Sequence, residues 1–220
     1  MLDLVVTSNT SGLNIRNKLG ETSLYKAFMA GNTPAIKTLL NYRADALMTS
    51  DADSRPGISC LHWLFQADPK HMDEVVALAI NGGANVNAKS SVTIQHRKRK
   101  HIITEHFPFH WPYGTPLHWQ SYVGSIEAAR ALLDHNANID EEDTTDDTRA
   151  HTAIGLAMLR ADSKMVELLL ERGADPNKKD SRGFTPLHML TTGEESRNKS
   201  NGPLCATAPI TLHRILQPSI

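Results

Sequence analysis

The feature that most constrains this chain is a short phrase that returns along it. Gly114-Thr115-Pro116-Leu117-His118 recurs nearly intact as Gly183-Phe184-Thr185-Pro186-Leu187-His188. Gly57-Ile58-Ser59-Cys60-Leu61-His62 and Gly20-Glu21-Thr22-Ser23-Leu24-Tyr25 are weaker copies, and His151-Thr152-Ala153-Ile154 is weaker still. A second marker follows each of the first four in chain order: Arg43-Ala44-Asp45, Gly83-Ala84-Asn85, Asn136-Ala137-Asn138 and Gly173-Ala174-Asp175. From Thr22 to Ala44, Thr115 to Ala137 and Thr152 to Ala174 the interval is 22 residues, and from Ser59 to Ala84 it is 25. From each Ala to the next Thr or Ser the intervals are 15, 31, 15 and 11. Two markers in strict alternation mean a tandem repeat, whose units bury a core only by stacking on their neighbours.

The shortest complete period is 33 residues, from Thr152 to Thr185. With its Thr-Pro-Leu-His phrase, the chain resembles the ankyrin repeat family. It is similar in particular to the divergent arrays of fungal ankyrin repeat proteins. The resemblance implies an all-α solenoid of helix-turn-helix units with β-turn fingers, here with one long inserted finger. Expected boundaries are a partial repeat or cap over 1–19, repeats over 20–48, 57–88, 114–140 and 148–180, an insert over 89–113, and a divergent partial repeat over 181–220.

Local chemistry agrees with that frame. Thr or Ser before each first helix is a good N-cap, and Pro116 and Pro186 sit where a missing N–H costs nothing. Leu24, Ala27, Ala35, Ile36, Leu39 and Leu40 follow helical spacing in two short helices broken at Gly31-Asn32. Arg43 occupies a turn that favours a left-handed backbone, which predicts strain or a different shape there. Trp63-Leu64-Phe65 stand where the family has small residues and should splay that helix pair. Asp68-Pro69-Lys70 adds length between its helices, and Pro69 ends the first one.

The Ala84-to-Thr115 interval exceeds the minimum of 11 by 20 residues. Within it, Ser91 to Gln95 reads as a strand, Arg97, Lys98, Arg99 and Lys100 form a basic tip, and Phe107, Phe109, Trp111 and Tyr113 alternate along an extended return. The tip reads as a solvated loop or a nuclear-import cluster. Direct nucleic-acid binding is not expected, because the net charge is −1 and the tip lacks interleaved aromatics.

No phosphate loop, Cys-x-x-Cys or nucleophile-elbow pattern is present. His106 and His110 have metal-ligand spacing for a helix, but Pro108 forbids one. On an extended segment they would lie about 13 Å apart. No metal, cofactor or catalytic residue is expected. His62, His118 and His188 read as structural, since in the family this His ties one finger to the next. Cys60 and Cys205 read as reduced thiols.

The family's groove positions fall on Lys26, Met29 and Ala30; Trp63, Gln66 and Ala67; Trp119, Tyr122 and Val123; Leu156, Leu159 and Arg160; and Met189. Trp63, Gln66, Trp119, Tyr122 and Arg160 are the expected partner-binding set, because aromatic and Arg side chains dominate interface energies. An alternative is that the aromatic insert folds back and covers those rings. The chain therefore reads as a non-enzymatic, monomeric adaptor for another protein, cytoplasmic or nuclear, with no membrane span. A nuclear coregulator is the alternative, and a metal-binding or enzymatic role of the His-rich insert a second one.

Overall fold

The first helix of each unit starts where a hydroxyl can close it. Thr22 Oγ1 accepts from Tyr25 N–H at 3.2 Å, and Thr152 Oγ1 accepts from Gly155 N–H at 3.4 Å. The second helices use Asn32 and Asp162, which accept from Ala35 and Met165 N–H at 3.1 Å each. Each cap satisfies a donor that the helix itself leaves open.

The computed structural model describes residues 12–18, 20–47, 57–90, 114–143, 151–180 and 183–188. They form helix pairs: α1 (Ser23–Met29) with α2 (Thr33–Asn41); a 3₁₀ helix (Cys60–Gln66) with α3 (Met72–Asn81); α4 (Pro116–Val123) with α5 (Ile126–Asp134); and α6 (Ala153–Leu159) with α7 (Ser163–Glu171). First helices pack on first helices in chain order, and second helices do the same, so the pairs stack along one axis. Leu24, Phe28, Ile36, Leu61, Leu64, Leu117, Leu132, Ile154, Met165 and Leu169 are fully buried between the layers. Among the described residues there is no multi-residue strand; isolated bridges join Ser90 to Gly114 and Glu142 to Thr152.

The segment with Trp63-Leu64-Phe65 does not make the expected α-helix. It winds as 3₁₀ over seven residues, long for that form. With three residues per turn, Leu61 and Leu64 fall on one side, and both are fully buried. Gln120, fully buried where the family has Ala, donates across from α4 to the carbonyl of His62 at 3.1 Å. The extra length that follows is a 3₁₀ turn, Pro69–His71, whose Asp68 cap accepts from Lys70 N–H at 3.0 Å.

Arg43 keeps the turn shape that glycine makes elsewhere. Its φ is +62°, against +96° at Gly83 and +90° at Gly173. Ala44 N–H donates to Leu39 O at 3.0 Å, just as Ala84 N–H donates to Ala79 O at 2.9 Å. The sequence allowed strain or a different shape; the structure has the strained backbone in an unchanged shape. Gly31 is required for another reason. A Cβ there would lie 2.2 Å from Gln66 O, so the first helix-helix turn touches the backbone of the next unit.

Candidate binding surface

The stacked units are tied finger to finger by two devices. The first is the phrase histidine. His62 Nδ1 accepts from Ser59 N–H at 3.0 Å, and its Nε2–H donates to Gly114 O at 3.1 Å. His118 does the same, accepting from Thr115 N–H at 3.1 Å and donating to His151 O at 3.1 Å. A carbonyl only accepts, so Nε2 carries the proton and each ring is a neutral bridge. Burial pushes both imidazoles down to a pKa of about 4. His188 repeats the near half of the arrangement, accepting from Thr185 N–H at 3.2 Å.

The second device is a side-chain ladder. Asn14 Oδ1 accepts from Asp45 N–H at 2.9 Å, Asn87 Oδ1 from Asn138 N–H at 2.8 Å, and Asp140 Oδ1 from Asp175 N–H at 3.0 Å. In each rung the acceptor stands three residues after where the second marker's Ala falls. Leu47 holds that place in the first pair, is exposed, and leaves Asn85 N–H without the equivalent rung. These rungs were missed as a set at the sequence level. The recurrence of Asn or Asp at 14, 87, 140 and 177 was the available signal.

Charged side chains line the fingers as well. Lys89 pairs with Glu141, and Lys178 reaches Glu142 at 3.5 Å while donating to Asp140 O. The Lys89 ammonium holds Glu141 below the usual carboxylate range. Ser90 and Gly114 exchange backbone hydrogen bonds at 2.8 and 3.3 Å, so the chain leaves and re-enters the stack at one point around the insert. The insert itself, with Arg97, Lys98, Arg99 and Lys100 and with His96, His101, His106 and His110, lies outside the described residues. So do residues 1–11, Met189, Cys205 and the rest of the C-terminal segment. No group of three or more metal-ligating side chains occurs among the described residues. None of their helices is long and apolar enough to cross a membrane.

The five expected partner-binding residues divide in two. Trp63 and Trp119 are 2% and 3% exposed. Their rings meet edge to face at 5.6 Å, Trp63 Nε1–H donates to Tyr25 Oη at 3.0 Å, and Trp119 meets His62 edge to face at 5.2 Å. The expectation of two open indoles does not hold, because these rings are packed as core against neighbouring first helices. Gln66 and Arg160 are exposed and Tyr122 is half-buried. The Arg160 guanidinium sits over the Tyr122 ring, 5.0 Å from its centroid. Beside Tyr122, Val123 is 39% exposed.

The family described as ankyrin repeats (3 copies) matches residues 95–180, and the stack of helix pairs is that family's architecture. The chain contains ankyrin repeats. Among curated ankyrin-repeat relatives, it is 31% identical over 110 residues to the ankyrin repeat and KH domain-containing protein mask of Drosophila melanogaster, covering 45% of this chain and 3% of that protein. It is 38% identical over 74 residues to ankyrin repeat and SOCS box protein 6 of Homo sapiens, covering 33% and 17%. It is also 28% identical over 181 residues to transient receptor potential cation channel subfamily V member 5 of Mus musculus, covering 79% and 24%. The chain thus spans at most about a quarter of the length of these relatives. Ankyrin repeats generally mediate protein–protein interaction and are typically non-enzymatic, and no enzyme family is indicated for this chain.

Proposed function

We propose that this ankyrin array is a non-enzymatic scaffold, acting inside the cell, that holds a partner protein along the concave side of its first helices and its fingers. One observation carries the reading. Lys26, Gln66, Val123 and Arg160, one from each successive first helix or its end, are all exposed, while Trp63, Trp119 and Leu156 of the same helices are buried. A rigid row of side chains on a stack is a surface for an extended macromolecular contact.

Photo-crosslinking residues placed at Gln66 or Val123, with Glu127 on the outer helix α5 as control, test this directly. A partner captured from 66 and 123, and not from 127, is expected. Capture through Glu127 alone, or turnover of a small molecule by pure protein, would overturn the scaffold reading. The cluster Arg97-Lys98-Arg99-Lys100 supports a second reading, a coregulator that enters the nucleus. Unchanged location of a tagged protein with all four residues replaced by Ala would remove it.

A further inference from the structure

Carboxylates are segregated between the two helix layers. The first helices of the four pairs contain no carboxylate at all. The six carboxylates within the helices, Asp73, Glu74, Glu127, Asp134, Glu167 and Glu171, all stand on second helices. The concave layer instead presents Lys26 at one end and Arg160 at the other. Local carboxylates are already committed. Glu21, near Lys26 at 3.7 Å, is buried and accepts from Asn17 Nδ2 at 3.0 Å. Asp162, two residues from Arg160, caps α7 through Met165 N–H.

Arg160 differs from the salt-bridged cations of the stack. Lys37, Lys89, Arg172 and Lys178 each meet a carboxylate of the same chain. Arg160 meets the face of Tyr122 instead, a stacking contact that holds the planar guanidinium in place. Val123, exposed beside that ring, adds an apolar contact. A fixed, undischarged guanidinium next to an exposed aliphatic side chain matches a carboxylate adjoining an apolar residue.

We infer that the concave surface takes an acidic segment of the partner, seating a carboxylate on Arg160 and an adjoining aliphatic or aromatic side chain on Tyr122 and Val123. This rests on the groove reading above and narrows it to one class of ligand. The outer layer, with six carboxylates against Lys37, Arg130 and Lys164, is the less favourable side for the same segment, so the charge pattern also favours the concave side.

A displayed library of random twelve-residue peptides, selected on the purified chain, is the test. Selected peptides are re-measured on Arg160→Glu and Gln66→Glu, both at exposed positions, and on Arg130→Glu of the outer helix α5. The expected binders are enriched in Asp and Glu beside Leu, Ile or Phe. They weaken at least tenfold on Arg160→Glu, weaken less on Gln66→Glu, are unchanged on Arg130→Glu, and lose affinity as salt is raised. Binders that depend on Gln66 or Arg160 but show no acidic enrichment would overturn this inference and leave the groove reading standing. A selection in which no binder responds to any change in the groove would overturn both.

Discussion

Lowering the pH should unfold this array from its histidine bridges. His62 and His118 are buried and neutral, each accepting a backbone N–H on Nδ1 and donating from Nε2. Their folded pKa is about 4, against 6.5 for an unhindered imidazole, because burial opposes the charge. The unfolded chain therefore binds more protons than the folded one between those values. The stabilisation is complete above pH 6.5 and is lost as pH falls from 6.5 towards 4. In going from pH 7 to pH 5 each histidine takes about 2 kcal/mol from the folded state, or about 4 kcal/mol for the pair, out of a typical total of about 5–15 kcal/mol. Glu74 and Glu141, whose carboxyls Lys37 and Lys89 hold below the usual range, add their loss at lower pH, so the window from 7 to 5 isolates the imidazoles. Urea unfolding followed by far-ultraviolet circular dichroism at pH 7, 6 and 5 measures the fall. A His118→Gln variant, whose side chain suits the same capping position, should lose about half of it. An unfolding free energy that is flat from pH 7 to 5, or a fall equally steep in His118→Gln, would refute the neutral-bridge argument.

Other outcomes follow from individual residues. Arg43→Gly should raise stability by about 0.5–1 kcal/mol, because it relieves a left-handed non-glycine backbone worth about 1–2 kcal/mol against glycine's entropy cost; a lower thermal midpoint would contradict this. Leu47→Asn should supply the missing rung and slow hydrogen exchange at the Asn85 amide, with about 0.5–1.5 kcal/mol gained; an unchanged exchange rate there would show that the first two fingers sit out of register. Gly31→Ala should cost about 2–3 kcal/mol, since its Cβ meets the Gln66 backbone oxygen, and an unshifted melting curve would argue against that close approach. In a Cys205→Ser background, Cys60 should label with a thiol reagent at the rate of global unfolding, because burial pushes its pKa up to about 12 and its Sγ–H donates to Ala46 O at 3.6 Å; rapid labelling of folded protein would disagree.

The units and their order were legible because each is a local event. A hydroxyl before a helix, a proline at its start and a left-handed turn after its partner are all set by neighbours within a few residues. The histidine role was legible on the resemblance, which names the bond that His62 and His118 make to the next finger. Trp63 and Trp119 were misread for the opposite reason. Spacing along a helix says which way a side chain leaves the backbone, not whether another ring will be packed against it. Trp63 meets Tyr25 across 38 residues and Trp119 across 56, and nothing local reports either pairing.

Sequence alone determined that this chain stacks, because its period and its caps act within single units. Tertiary structure decided which faces of the stack stay open. Core packing buried the two indoles and wound Cys60–Gln66 as 3₁₀, leaving Gln66, Val123 and Arg160 exposed. Exposure is a property of neighbouring units together, so it exists only once they have met.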